Sequence, residues 1–294
     1  ELNGKYVFLS EGVRGSLSKE VIAKYDLSKG KEPQKFGIGM KEIWEIDPDK
    51  HREGTVTHTM GWPLGGNAGG GSFIYHLENN QVYVGFVVAL GYKNPYLSPF
   101  EEFQRFKTHP AVADLLEGGK RIAYGARAIT QGGYQSVPKL CFPGGALLGC
   151  SAGFVNVPRI KGSHNAMFSG MLAAEKVAEA IAAGREQDEL SAYEAEWRTS
   201  EIGKDLHKVR NVKPLVGKWG TLWGTMASGF EMWCQTLIKW SPFGNMHHQK
   251  WDYQATEEAS KHSKIDYPKP DGKLTFDRLS SVFLSNTNHS EEQP

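Results

Sequence analysis

Apolar and polar positions follow one another along this chain with a period that changes several times, and each change predicts a different element. Tyr6 to Leu9 is a short continuous apolar run that reads as a buried strand, after which Leu17, Val21 and Tyr25 share one face of a helix over Ser16 to Tyr25. From Phe36 to Leu90 the pattern turns to strands: Ser72 to Leu77 and Val82 to Leu90 are β-rich, with Glu78-Asn79-Asn80 as the hairpin turn between them. Ser98 and Pro99 stand as N-cap and first residue of a short amphipathic helix running to Phe106, and Lys120 to Arg127 returns to the sheet. Ala146-Leu147-Leu148 then leads into Gly149-Cys150-Ser151-Ala152-Gly153, a proline-containing loop, Gly162-Ser163-His164 and an alanine-rich helix. Met167, Met171, Ala174, Ala178 and Ile181 recur along that helix at three- and four-residue spacing, and Gly184 sits where a glycine would stop it. The stretch from Glu186 to Arg210 is helical and charged. Beyond it Trp219, Trp223, Met226, Phe230, Trp233, Leu237 and Trp240 form one stripe at spacings of four and three, with Ser228, Glu231, Gln235 and Lys239 off it. By pattern alone such a stripe is either core or a face laid in a membrane surface, where tryptophan is favoured.

Composition narrows the class. At 294 residues the chain is long enough for one or two domains, and 34 basic residues against 33 acidic ones leave a formal charge of +1. That balance excludes the basic footprint of a nucleic-acid-binding protein. Three cysteines, Cys141, Cys150 and Cys234, are too few and too scattered for a disulfide framework or a Cys₄ metal site. The apolar runs fall short of the roughly 20 residues a spanning helix needs. Adjacent His247 and His248, without nearby carboxylate spacing, read as exposed loop histidines rather than metal ligands. Cys150 reads as a small packing residue.

The chemistry concentrates at 149–183. A strand, a glycine loop and the N-terminus of a helix present free N–H groups and positive partial charge, a device for holding an anion or a dipole; on spacing alone a plain strand-to-helix connection reads equally well. The residues themselves resemble the second flavin-contacting motif of the flavoprotein family that includes geranylgeranyl reductases. They are closer still to the electron-transfer-flavoprotein–ubiquinone oxidoreductases, in which cysteine and a small residue replace the usual aspartate. Further segments carry that resemblance along the chain: Glu11 to Leu17, Gly61 to Leu64, Tyr75 to Leu77, Asn94 to His109, Glu117 to Arg121, and Tyr267 to Gly272.

The resemblance implies an α/β plus α+β chain: an FAD-binding fold with an incomplete nucleotide-binding layer (1–30 and 128–184), interrupted by an antiparallel quinone or substrate domain (31–127) and followed by a helical, membrane-facing region (185–294). It implies FAD contacts from Gly12, Arg14, Gly149, Ser151, Gly153, Gly162, Ser163, His164, Asn165, Ala166 and Met167, with His164 at the helix mouth facing the flavin. It implies ubiquinone contacts from Gly70 and Gly71, and a membrane face of Phe230, Trp233, Leu237 and Trp240. The sequence departs from the family just before the glycine pair, where Gly65, Gly66 and Gly69 replace the usual larger polar residues and tyrosine. No G-x-G-x-x-G occurs in the chain, so the family's pyrophosphate loop is missing, and its four-iron–four-sulfur cluster would belong only to the parent protein, beginning beyond about Asn288. The expected role is that of a central portion, inactive by itself, of an enzyme passing electrons from electron-transfer flavoprotein to ubiquinone. Its place would be the mitochondrial inner membrane on the matrix side, or the bacterial cytoplasmic membrane on the cytoplasmic side. Two other readings stand beside it: a geranylgeranyl-reductase-like flavoenzyme, and a non-catalytic scaffold subunit that keeps the fold.

Overall fold

The computed structural model describes residues 3–66, 68–248 and 250–286. The segment from Asn288 onward, where the cluster domain is expected to begin, lies outside the described residues, as does Asn67 of the glycine-dense stretch. The chain divides into two compact units. One holds the residues up to Phe36 together with Ala128–Asp252; the other holds Gly37–Arg127 together with the residues from Tyr253 onward.

In the first unit a short sheet is built from β1 (Val7–Leu9), β8 (Gly145–Leu147) and β7 (Cys141–Phe142), in the order β1-β8-β7. β1 and β8 run parallel, with Phe8 opposite Ala146 and Leu9 opposite Leu147. Helix α1 (Ser16–Lys24) follows β1, and α4 (Ser163–Ala182) follows the glycine loop after β8. Their core gathers Leu9, Leu140, Ala146, Leu147, Phe154, Leu172 and Ala173 with Tyr193 of α5 (Ser191–Glu196), Trp197, and Ile202 and Leu206 of α6 (Glu201–Lys208). The apolar repeat that predicts α4 is not the face it buries. Met167, Met171 and Ile181 are exposed, while Asn165, Ser169, Leu172, Ala173 and Ala180 are buried. The helix is apolar on two sides, so periodicity identifies it without orienting it.

The second unit is a five-stranded sheet in the order β3-β4-β5-β2-β6, formed by β2 (Phe36–Glu45), β3 (Val56–Met60), β4 (Gly70–His76), β5 (Gln81–Ala89) and β6 (Lys120–Thr130). The expected hairpin pairs β4 with β5, Ser72 opposite Phe86 and Ile74 opposite Val84, through a turn in which Asn79 and Asn80 both adopt φ of 56°; asparagine tolerates that left-handed region. Val82, Val84, Phe86 and Val88 alternate inward and meet Phe103 and Phe106 of α2 (Pro99–Lys107) and Val112 and Leu116 of α3 (Pro110–Leu116). Ser98 caps α2 by accepting from the Glu101 N–H at 3.4 Å, as its sequence position predicts. The stretch from Tyr253, grouped by sequence with the helical C-terminal region, packs instead on this sheet. There Phe276 lies against Trp44 with the rings tilted at 53°, and α8 (Arg278–Phe283) brings Ser281 against Arg121.

Under that segment lies a fully buried ion cluster. Glu42 accepts from the Lys107 ammonium at 2.8 Å, from Arg121 at 3.0 Å and from the Trp44 indole at 2.8 Å, and the Arg121 guanidinium lies 3.6 Å from the Phe276 ring centroid. Burial pushes the Lys107 ammonium down to about 8 despite the Glu42 charge beside it. Removing the carboxylate would strand two buried cations. Glu42→Ala is therefore expected to lower unfolding stability by about 3–5 kcal/mol, read by urea denaturation; a loss within 1 kcal/mol would mean the cations find water.

Candidate functional site

The glycine loop after β8 is held by a serine of the helix that follows it. Gly149 turns at φ 55° and Gly153 at φ 85°. The Gly149 N–H donates to Ser169 Oγ at 3.0 Å, and that hydroxyl donates to the Ala166 carbonyl at 2.7 Å. The turn is thus sewn to the first two turns of α4. A side chain at 153 would come within 2.6 Å of Gln34 Nε2, whose amide oxygen accepts from the Gly132 N–H. Ser151 Oγ donates to the Gly12 carbonyl at 3.1 Å, bringing the two expected flavin loops together.

Those loops differ in what they offer. At α1 the Glu11 carboxylate accepts from the Leu17 and Ser18 N–H groups and from the Ser18 hydroxyl at 2.6 Å, and that hydroxyl, ahead of burial and the backbone bonds, is what holds its pKa below the usual carboxylate range. The α1 terminus is capped from within, leaving backbone at Gly12 and an exposed Arg14 beside it. At α4 no side chain caps the helix, so its positive end stays available. Gly162, Ser163, Asn165 and Ala166 gather there, Ala166 lying against Gly149. Met167 is exposed on the outer face.

His164 does not stand free at the helix mouth. Its Nε2 lies 3.2 Å from the Asp205 carboxylate of α6, which also accepts from Asn156 Nδ2 at 2.8 Å and Asn165 Nδ2 at 3.1 Å and pairs with Arg159 at 3.2 Å. Burial pushes the Asp205 pKa up, but the bonds from Asn156, His164 and Asn165 and the Arg159 charge outweigh it and leave the pKa lowered. Asn156 and Lys161 bridge one another across the loop. Asp205 has no signal in the sequence beyond being one acid on a charged helix.

His248 corrects the exposed-loop expectation. It is half-buried, its Nε2 lies 2.6 Å from the Gly132 carbonyl, and burial pushes its pKa down; His247 is exposed and pairs with Glu32. Cys150 is half-buried, with burial pushing its thiol up.

The tryptophan stripe, apart from Trp240 just beyond it, lies on α7 (Val212–Leu237), which is two helices rather than one: Gly220, at φ 73° and ψ −178°, folds them into a hairpin. Gly224 packs against the backbone of Val216, Ser228 Oγ donates to the Val212 carbonyl at 3.3 Å, and Glu231 accepts from Asn211 Nδ2 at 2.9 Å, so the arms run antiparallel. Ser228, Glu231 and Gln235 are buried. Trp223 (65 % exposed), Phe230, Trp233 (66 %), Leu237 and Trp240, with Trp219 and Met226, face outward. The hairpin is polar inside and apolar outside. No described helix is long and apolar enough to cross a membrane.

Gly70 and Gly71 open β4 in the second unit. A Cβ at 70 would overlap the Val87 carbonyl and Leu64, and one at 71 the Thr59 carbonyl; neighbouring strands demand glycine at both positions whatever ligand meets them. A cavity of about 650 Å³ in the same unit is lined by Leu116, Gly118, Arg121, Leu274, Phe276 and Leu284 among others. It lies at the opposite end of the sheet, where Gly119 approaches the Glu45 carbonyl.

Residues 36–129 match the family model described as ETF-QO, ubiquinone-binding. The whole chain is 54% identical to electron transfer flavoprotein-ubiquinone oxidoreductase of Pseudomonas aeruginosa, covering 53% of that protein, and 46% identical to the human mitochondrial protein of that name, covering 48% of it. The chain thus spans about half the length of the curated relatives it matches. Among solved structures, a geranylgeranyl bacteriochlorophyll reductase-like protein from Thermoplasma acidophilum aligns at TM-score 0.53 and 16% identity over 80% of this chain and 61% of its own. A flavin-dependent brominase aligns at 0.53 and 13% over 81% of this chain and 56% of its own. At such identities these likenesses speak for the fold: a flavoprotein fold with an inserted antiparallel sheet.

The Ser169 clasp is open to test. Ser169→Ala leaves the buried Gly149 N–H without its acceptor and is expected to cost about 1–3 kcal/mol of stability in chemical denaturation. No measurable loss would mean the turn holds itself.

Proposed function

The chain belongs to the electron-transfer-flavoprotein–ubiquinone oxidoreductase family, and from that membership we propose that the protein works at a membrane surface as an FAD-dependent oxidoreductase, passing electrons from electron-transfer flavoprotein to ubiquinone. Identity of 54% along the whole chain to such a relative, against 16% to the geranylgeranyl reductase-like structure, favours this reading over the prenyl-reductase alternative. The membrane would be the mitochondrial inner membrane, matrix side, or the bacterial cytoplasmic membrane, cytoplasmic side.

FAD fits the residues present in the first unit. The α4 N-terminus has no side-chain cap, and the loop before it is glycine backbone, turning through the left-handed region at Gly149 and Gly153. Gly149, Ser151, Gly153 and Gly162 to Met167 would hold the flavin, with Gly12 and Arg14 beside them. When bound, FAD supplies the electron-carrying chemistry. The protein's own part is to aim the positive end of α4 where negative charge develops and to fix the ring's place. A four-iron–four-sulfur cluster, implied by the family, would take its ligands from outside this chain: Cys141 and Cys234 are buried and Cys150 half-buried within one unit.

The observation that carries the membrane reading is the inverted hairpin. A helix on a protein's aqueous surface turns polar residues out; this one holds Glu231 and Gln235 inward and presents seven large apolar side chains. Such a hairpin suits shallow insertion into one leaflet, with Trp219 and Trp223 near its bend, and lipid contact would contribute at roughly 25 cal/mol per Å² of apolar surface covered. Replacing Phe230, Trp233, Leu237 and Trp240 by serine is expected to abolish sedimentation with anionic liposomes while leaving the melting temperature within a few degrees. Collapse of the fold would instead assign the stripe to a protein interior.

Gly70 and Gly71 are proposed as ubiquinone contacts through their backbone. Substitution there would break the sheet, so the test is chemical. A photoreactive ubiquinone analogue is expected to label residues near 70–71, and labelling confined to 113–121 and 272–284 would move the quinone to the cavity at the other end.

A further inference from the structure

The loop that joins the glycine turn to α4 contains no regular structure of its own beyond the Asn156–Lys161 bridge, yet two of its side chains and two of the helix start converge on one carboxylate. Asn156 and Asn165 are essentially buried, and each gives its amide N–H to Asp205 Oδ2; Asn165 gives a second bond to the Phe154 carbonyl at 3.0 Å. Asn156 Oδ1 in turn accepts from the Arg159 N–H at 3.2 Å, and the Arg159 guanidinium closes on Asp205 Oδ1 at 3.2 Å. His164, the first turn of α4, completes the set at 3.2 Å. The loop's entry, middle and exit are therefore tied to a single residue of α6.

We infer that Asp205 is the positioning residue of the flavin site, holding the 153–165 loop and the first turn of α4 in the geometry that meets the cofactor. The inference rests on the flavin reading above. Every donor around Asp205 points at a carboxylate, so no neutral side chain replaces it: asparagine would set an NH₂ group against at least one of four donors, and alanine would leave the buried amides of Asn156 and Asn165 without their acceptor. Asp205 also places a negative charge beside the positive end of α4, where it would oppose negative charge on a reduced flavin. It would act on the cofactor only through these neighbours.

The test compares wild type, Asp205→Asn, Asp205→Ala and, as a control on the same helix, Glu201→Gln in the intact protein. Glu201 is exposed and pairs with Lys204. Both Asp205 variants are expected to bind FAD about tenfold more weakly, to show a higher flavin midpoint potential because the opposing charge is gone, and to exchange amide hydrogens faster within 153–166; the control stays at wild type. A purely structural lesion would weaken binding and spread faster exchange over the whole unit without moving the potential, and that result overturns the inference. So does an Asp205→Ala protein with wild-type affinity, potential and exchange. A wild-type protein that binds no FAD would defeat the flavin reading instead, and the exchange of 153–166 would still decide whether Asp205 orders the loop: local loosening in the variants supports it, unchanged protection overturns it.

Discussion

One half-buried carboxylate sets the shape of the region where the chemistry lies. Asp205 gathers Asn156, Arg159, His164 and Asn165; the two asparagines are buried away from water and must each find a partner, while Arg159 and His164 close the set from the more exposed side. A carboxylate with two oxygens satisfies several donors at once and keeps its charge by doing so. With the loop fixed, α4 begins where it does, Ser169 meets the Gly149 turn, and the parallel pair β1 and β8 ends at a defined backbone surface.

The helical hairpin obeys the same rule with its faces exchanged. Asn211, Ser228, Glu231 and Gln235 are polar groups turned inward: Asn211 and Gln235 donate to Glu231, Asn211 also donates to the Gly244 carbonyl, and the Ser228 hydroxyl donates to the Gly224 carbonyl. Nothing then prevents the outer face from being apolar, and it is apolar almost throughout. Close approach of the arms depends on Gly224, and the bend on the left-handed Gly220. In the second unit Glu42 performs the corresponding task for two cations, and Phe276 and Ser281 cover it, which ties their segment to a sheet far from it in sequence.

The elements were legible where a local rule decides them. The β4–β5 hairpin follows from two β-rich runs around paired asparagines, the start of α2 from Ser98-Pro99, and the end of α4 from Gly184. The glycine motif was legible as well, and it placed Gly149, Ser151, Gly153, Gly162 and Asn165 in one neighbourhood with Gly12. Asp205 was not legible. Its role depends on donors 40 to 49 residues away, and nothing in the local sequence separates it from Glu201.

By itself, then, the sequence determined the kinds of element, the flavoprotein resemblance and the presence of an apolar stripe, because each is written in spacing over a few turns or in a contiguous motif. Tertiary structure alone decided which side of each helix faces inward. α4 buries Ser169 and Leu172 rather than Met167 and Met171, and the hairpin buries Glu231 rather than Trp233. Periodicity reports that a helix has two faces; which one is buried depends on what lies opposite, and for polar residues on whether partners distant in the chain arrive to bond them.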